Sequence, residues 1–264
     1  MVIVGYVAMA AVGFVLGLIG GGGAILTMPI LVYLFSMPPV QATGYSLFIV
    51  GSASVLGVWR YHKQGYVDYR AALIFVGPSL LGTYLARQAL LPAIPVTLSL
   101  PLHMTVSKDQ LVMAVFALVM IAASVSMIRP KKSDDGSGKK APQADRLKLV
   151  FLGLMVGSVA GFVGAGGGFL IIPALVVLGG VSMRVAVPTS LFIIAVNSLG
   201  AFVGDLLNRA PTDWGFLLIA SGVAGVGLFA GVRVAPLVSP GKLKVGFGWF
   251  VLLMGAWIFV RQII

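Results

Sequence analysis

A run of glycines interrupts the first long apolar stretch of the chain, where residues 13–29 read GFVLGLIGGGGAILTMP. Glycine at this density frees backbone groups that hydrocarbon cannot satisfy, so a lipid-facing helix does not tolerate it. Residues 157–173, GSVAGFVGAGGGFLIIP, show the same pattern. Each run is therefore predicted to break a helix inside protein or beside a watery cavity. A new helical piece should follow each break and end or kink near Pro29 or Pro173.

The two glycine runs belong to a longer internal repeat. A shift of 144 positions aligns residues 13–57 with 157–201 without a gap, and 17 of the 45 positions are identical. The identities include the run Ser46–Ile49 against Ser190–Ile193. Shared glycine, proline and serine at fixed spacing indicate a duplicated fold. The predicted organisation is a first transmembrane repeat at 1–128, a cytoplasmic hydrophilic linker at 129–148 and a second repeat at 149–264.

Composition places both repeats in a membrane. The chain is 59% hydrophobic and 9% charged, with a mean hydropathy of +1.07, whereas soluble domains carry about 25% charged residues. Apolar segments lie near 2–19, 24–36, 41–59, 71–91, 109–128, 149–163, 168–179, 185–204, 214–232 and 243–260. About 20 apolar residues cross a bilayer as a helix. The prediction is an all-α, polytopic integral membrane protein of the cell membrane (the inner membrane in a bacterium), with about five helical segments in each repeat.

The relative orientation of the repeats depends on the glycine breaks. If each break is the tip of a hairpin, each repeat crosses an odd number of times and the second is inverted. The loops on one face then hold 14 of the 18 Lys and Arg; if each break lies within one crossing, the repeats are parallel and the split is 12 to 6. The positive-inside rule favours the inverted arrangement. The net charge of +11 is thus interpreted as an orientation signal and not as a nucleic acid surface.

The breaks are the strongest candidate for a binding site. The first amides after each break lack intrahelical partners and carry the positive end of the helix dipole, so two such ends near the midplane predict a shared anion site. The alternative is that the glycines only permit close helix packing. Nearby small polar side chains could donate to the anion, or could bond to a carbonyl one turn earlier. The predicted substrate-binding residues are Gly20, Gly21, Gly22, Gly23, Thr43, Ser46, Gly164, Gly166, Gly167, Gly168, Thr189, Ser190 and Asn197.

Other chemistry finds little support in the sequence. There is no cysteine, neither glycine run is followed by Gly-Lys-Ser or Gly-Lys-Thr, and His62 and His103 lie in polar loops, so no cofactor or metal is expected. Arg87 is expected to extend to the membrane interface. Asp205 is expected to be solvated, although its place after an apolar run would let it gate access. No acid or histidine is expected inside an apolar run, which argues against a buried proton relay.

The duplicated break with its proline, the Ser-Leu-Phe run in each repeat and the segment Tyr61–Tyr69 together resemble the sulfite exporter TauE/SafE family of membrane permeases. The resemblance spans nearly the whole chain apart from the linker. It implies export or exchange of small anions, notably sulfite and organosulfonates, through a helical permease. The predicted function is export of such an anion by alternating access at a site between the two repeats. The repeats differ at Ala165 against Gly21 and at Val187-Pro188 against Thr43-Gly44, so they need not contribute equally. A passive anion channel and, less favoured, a membrane-embedded enzyme are the alternatives.

Overall fold

The structure is a computed structural model that describes residues 2–62, 65–95, 97–100, 104–128, 146–163, 167–175, 183–208, 212–238 and 240–263. The first part of the chain forms α1 (Val2–Ile19), a 3-10 helix (Gly21–Leu26), α2 (Thr27–Tyr33), α3 (Pro39–His62), α4 (Tyr69–Leu85), a π-helical turn (Ala86–Leu90), α5 (Leu91–Ala93), strands β1 (Thr97–Leu100) and β2 (Met104–Ser107), and α6 (Lys108–Ile128). The second part forms α7 (Arg146–Val163), α8 (Gly168–Pro173), α9 (Met183–Leu207), α10 (Trp214–Val234), a 3-10 turn (Ala235–Leu237) and α11 (Pro240–Ile263).

The prediction of a polytopic helical membrane protein is confirmed. Within the described residues, four helices are long and apolar enough to cross a membrane: Pro39–His62, Lys108–Val125, Val185–Leu207 and Trp214–Val234. Shorter apolar helices lie at Ile3–Ile19, Gly23–Tyr33, Leu149–Val163 and Gly248–Arg261. The sequence analysis missed one feature, the antiparallel hairpin of β1 and β2, in which Thr97 pairs with Ser107.

Aspartates fix the starts of two long helices. The Asp68 carboxylate accepts from the backbone N–H groups of Arg70 and Ala71 at 3.0 Å, at the start of α4. Asp213 accepts from the N–H of Phe216 at 3.1 Å, at the start of α10. Each carboxylate satisfies amides that have no partner inside the helix and complements the positive helix end. Both aspartates therefore work as N-caps at the ends of membrane segments.

Glycines let the first helix of each part pack closely on a helix of the other part. On α1, a Cβ at Gly13 or Gly17 would collide with the carbonyl oxygen of Ala224 or Leu228 on α10. On α7, a Cβ at Gly157 or Gly161 would collide with the carbonyl oxygen of Ser79 or Thr83 on α4. Residue numbers rise together in both pairs, so α1 runs parallel to α10 and α7 runs parallel to α4. These are the small-residue crossings expected between membrane helices.

Helices α3 and α9 pack against each other and run antiparallel. A Cβ at Gly51 would lie 2.9 Å from Leu199 Cγ, and one at Gly57 would lie 2.9 Å from Leu191 Cδ1. Along this contact, residue numbers therefore rise on α3 while they fall on α9. The contact matters for the site because α3 is the next long helix after the first glycine break and α9 is the next long helix after the second.

The chain turns back on itself at the first break. A Cβ at Gly23 would lie 2.5 Å from the amide nitrogen of Leu16 on α1. At the other end, the rings of Tyr6 and Phe35 meet edge to face with centroids 5.4 Å apart. Helix α1, the 3-10 helix and α2 thus form a hairpin with its two open ends together. Of the predicted linker, residues 129–145 lie outside the described residues, and α7 already begins at Arg146.

Candidate functional site

The first predicted break is a sharp change of backbone direction at Gly20. Gly20 has φ 74° and ψ −138°, values that side-chain-bearing residues rarely adopt. The chain continues as a 3-10 helix and then as α2, which runs through Pro29 to Tyr33. Pro29 lies in the first turn of α2, where no intrahelical N–H is needed. The proline therefore starts the helical piece and does not end it.

The second break shows a similar device. Gly167 adopts the left-handed conformation with φ 69° and ψ −1°, immediately before α8. Helix α8 is α-helical through Pro173 and continues as a π-helical turn at Ala174 and Leu175. Gly164, Ala165 and Gly166 lie outside the described residues. The α-helical pieces α2 and α8 contain seven and six residues.

The two breaks, 147 residues apart in the sequence, are in backbone contact. A Cβ placed on Gly21 would collide with the Cα of Gly168, and a Cβ placed on Gly168 would collide with the Cα of Gly21. The side chain of Ile194 on α9 packs against Gly168 in the same place. Only glycine permits this approach of two main chains. The candidate site is therefore shared between the two parts of the chain.

The two serines that the repeat pairs with each other have different environments. Ser190 lies beside the first break, with its Oγ 3.2 Å from where a Cβ of Gly20 would be, and it donates to the Val187 carbonyl at 2.7 Å. This is the back-bond that competes with ligand binding. Ser46 Oγ is fully buried and has no hydrogen-bond partner. Buried hydroxyls are normally paired, so Ser46 is the better candidate ligand.

Further unpartnered polar groups lie on the same two helices. Ser54 on α3 and Ser198 on α9 match each other in the repeat, and both hydroxyls are buried without a hydrogen-bond partner. The same holds for Thr27, the first residue of α2. An apolar helix contact would leave such groups uncompensated. Helices α3 and α9 thus carry buried hydroxyl groups that form no hydrogen bond within the protein.

The other predicted polar residues are engaged in contacts between helices or within one. Thr189 accepts the backbone N–H of Asp68 at 3.0 Å, and Asn197 donates through Nδ2 to Ser79 Oγ at 2.5 Å. Thr43 donates to the Val40 carbonyl at 2.6 Å. These bonds give each residue a structural role, and ligand binding by them stays a prediction.

A buried ion pair was missed by the sequence analysis. Arg87 donates through Nε to both carboxylate oxygens of Asp205 at 2.6 Å, and its Nη2 lies 2.5 Å from Asp205 Oδ2. Nη1 donates to Thr43 Oγ1 at 2.9 Å. The side chain of Arg87 is 5% exposed and that of Asp205 is 14% exposed. The predictions that Arg87 extends to the membrane interface and that Asp205 is solvated were therefore wrong. Each side chain instead pairs with the opposite charge from the other part of the chain.

The same pair overturns a second expectation. Asp205 lies inside the candidate span Val185–Leu207, so an acid does occur within an apolar helix. A signal was present in the sequence. When the shift of 144 positions is continued, Asp205 aligns with Tyr61, so an acid replaces an aromatic residue in the repeat pattern.

The fold and the paired breaks define a class before any comparison. A multi-pass helical bundle in which two interrupted helices meet between its parts has the architecture of a membrane transporter. The chain belongs to the sulfite exporter TauE/SafE family, whose sequence profile matches residues 6–258. The resemblance noted from the motifs is confirmed, and the protein is a multi-pass membrane protein of a transporter family.

Relatives from distant organisms have the same general description. A probable membrane transporter protein of Xylella fastidiosa (strain Temecula1) is 30% identical over 95% of this chain and 92% of its own length. YunE of Bacillus subtilis, also a probable membrane transporter protein, is 28% identical over 81% of this chain and 82% of its own. A third, MJ0441 of Methanocaldococcus jannaschii, is 25% identical over 74% and 70%. No solved structure matches the chain.

Proposed function

We propose that this protein exports a small anion, of the sulfite or organosulfonate class, by alternating access at a site between its two repeats. The observation that carries the proposal is the backbone contact of Gly21 with Gly168, which joins the two breaks at one place. The family to which the chain belongs is described as sulfite exporters, and this supports the choice of anion. No catalytic step or cofactor is part of the proposal.

The packing of the helices supports inverted repeats. The aligned helices α3 and α9 run antiparallel, which a parallel duplication would not give. The hairpin that places Tyr6 beside Phe35 supports an odd number of crossings in the first repeat. In this arrangement Met1 faces the outside of the cell membrane, and the linker at 129–148 faces the cytoplasm. Transporters built from inverted repeats commonly bind substrate where broken helices meet near the midplane.

Anion recognition would come from neutral donors at the breaks. The first amides after Gly20 and Gly167 would act as donors, because the first N–H groups of a helical piece have no partner within it, and Ser46 adds an unpartnered hydroxyl. Neutral donors hold a small anion weakly and reversibly, which suits a carrier that must release it. The remaining predicted glycines, Gly22, Gly23, Gly164 and Gly166, would let the main chain approach the ligand.

Flux from proteoliposomes tests the proposal. Vesicles containing the purified protein and loaded with sulfite should show saturable efflux that accelerates when an outward-driving membrane potential is imposed. Protein-free vesicles provide the leak rate. Efflux that rises linearly with sulfite and never saturates would indicate a channel in place of a carrier. Rates equal to the protein-free leak for sulfite, sulfate and small sulfonates would overturn the proposal.

A further inference from the structure

The Arg87–Asp205 pair is an anion site that the protein occupies with its own carboxylate. The guanidinium presents Nε and Nη2 to Asp205 and Nη1 to Thr43, which is the forked geometry that arginine uses for carboxylates and other oxyanions. Of the residues whose burial the structure describes, Arg87 is the one buried cation. A small anion in transit has no stronger buried partner there.

The pair joins the two repeats. Arg87 follows α4 and Thr43 lies on α3, both in the first repeat, whereas Asp205 lies on α9 in the second. Gly44, next to Thr43, keeps this junction tight, because a Cβ there would lie 3.0 Å from Arg87 Nη2 and 3.1 Å from Asp205 Oδ2. A motion that separates α9 from α3 at this end must break either the Arg87–Asp205 pair or the Arg87–Thr43 hydrogen bond.

Among the side chains that the structure describes, the opposite end of the α3–α9 contact holds no ion pair between the two helices. The shift of 144 positions places Val187 opposite Thr43 and Tyr61 opposite Asp205. Val187 packs its side chain against Gly20, and Tyr61 donates its hydroxyl to the Gly17 carbonyl at 3.3 Å. One end of the α3–α9 contact thus carries a charged pair, and the described contacts at the other end are apolar or neutral.

The end of the α3–α9 contact that carries the ion pair lies close to the surface of the protein. Asp205 is partly exposed, and the next two residues, Leu206 and Leu207, are exposed. A pocket of about 360 Å³ opens one turn of α3 away from Thr43. It is lined by Pro38, Val40, Gln41, Ser107, Lys108 and Asp109. Lys108 and Asp109 place one charge of each sign among the lining residues, and the Asp109 carboxylate accepts from the backbone N–H of Val40 at 3.2 Å.

We propose that Arg87 binds the transported anion at this end of the pathway and that Asp205 is the competing internal anion that closes it. This inference rests on the proposed function. An entering oxyanion of the sulfite, sulfonate or carboxylate class takes the place of the Asp205 carboxylate on the guanidinium. Asp205 then turns to the solvent at the end of α9, and α9 is free to separate from α3.

The test compares Asp205→Asn, Arg87→Gln and the double variant with the unchanged protein, by titration of the purified proteins with sulfite. Asp205→Asn removes the competing charge and should bind sulfite about tenfold more tightly, the fold-change expected for one hydrogen bond to a charged group. Arg87→Gln should bind at least tenfold more weakly. The double variant removes both charges, so it should recover thermal stability without recovering affinity. Arg233→Gln, an exposed arginine at the end of α10, is the matched control and should bind like the unchanged protein.

The outcomes separate this inference from the proposed function. Should the unchanged protein bind and export sulfite while Asp205→Asn and the double variant keep its affinity, the pair is purely structural and the inference is wrong. Arg87→Lys and Asp205→Glu answer the same question if a neutral single variant fails to fold, since they keep the charges and alter only the geometry. Weaker sulfite binding in Arg87→Lys supports binding of the anion by the forked guanidinium of Arg87. Unchanged sulfite affinity in both Arg87→Lys and Asp205→Glu counts against it. A protein that neither binds nor exports any tested anion overturns the proposed function itself.

Discussion

Tyr45 and Thr189, which the repeat aligns with each other, hold equivalent positions in the two parts of the protein. The Tyr45 hydroxyl on α3 accepts the backbone N–H of Asp213, the N-cap of α10, at 2.7 Å. The Thr189 hydroxyl on α9 accepts the backbone N–H of Asp68, the N-cap of α4, at 3.0 Å. Two side chains of different chemistry thus make the same connection. The start of α4 is tied to α9, and the start of α10 is tied to α3.

Loss of either hydroxyl should therefore destabilise the protein. Tyr45→Phe and Thr189→Val should each lower the free energy of unfolding by about 1 kcal/mol, because a backbone N–H loses its partner. Thermal unfolding in detergent measures the effect. Thr189→Ser keeps the hydroxyl and serves as the control. A Thr189→Val protein as stable as the Thr189→Ser protein would contradict the assigned bond.

The contact between Gly21 and Gly168 should be intolerant of even one methyl group. Gly21→Ala and Gly168→Ala force two main chains apart, at a cost of about 1–3 kcal/mol for overpacking, and should reduce sulfite efflux from proteoliposomes at least tenfold. Gly222→Ala on α10 is the matched control, because a Cβ there meets nothing within 4 Å. It should retain efflux and gain up to about 1 kcal/mol of helix stability. Normal efflux in both Gly21→Ala and Gly168→Ala would separate the contact from transport.

Ser46 and Ser190 should respond differently to removal of their hydroxyls. Ser46→Ala should weaken sulfite binding by about 1–2 kcal/mol, as for a lost hydrogen bond to a charged group, and should leave unfolding unchanged because that hydroxyl has no protein partner. Ser190→Ala should have a smaller effect, since its hydroxyl already donates to Val187. Ser124→Ala on α6, whose hydroxyl is also back-bonded, is the control. Unchanged affinity in Ser46→Ala would move the site away from α3.

Membrane sidedness distinguishes inverted from parallel repeats at one position. The chain has no cysteine, so single cysteines at the exposed residues Ser36, Tyr66 and Leu237 can be labelled in intact cells with a membrane-impermeant maleimide. Inverted repeats place Ser36 outside and the other two inside, so Ser36→Cys alone should react. Parallel repeats also predict labelling of Ser36→Cys and protection of Tyr66→Cys, which makes these two the controls. Strong labelling of Leu237→Cys would rule out the inverted arrangement.

The sequence predicted the features that depend on local chemistry. Gly20 and Gly167 both have positive φ, at the places where glycine runs predicted broken helices. The apolar segments near 2–19 and 109–128 became Val2–Ile19 and Lys108–Ile128, because hydrocarbon leaves an apolar chain few options other than helix. The serines marked by the repeat are buried on the two central helices.

The features that the sequence did not reveal depend on contacts between distant segments. Arg87 and Asp205 are 118 residues apart, and each alone looks like a charge at the edge of a membrane segment. The packing of α9 against α4 and the turn that follows it brings the acid to the arginine. Asn197 shows the same limit, since its partner Ser79 lies on α4. A periodic pattern identifies the buried face of a helix but not which other helix covers it.

The crossed packing of the glycine faces has a consequence for biosynthesis. The glycines of α1 pack against α10, and those of α7 pack against α4, so a helix of each repeat covers the glycine face of the other. A ribosome that has completed α1 must synthesise residues through Val234 before the whole partner helix exists. During that interval the small-residue face of α1 lies against lipid or a temporary protein partner. The contact between α1 and α10 can therefore form only after most of the chain has been synthesised, whereas that between α4 and α7 can form as soon as α7 exists.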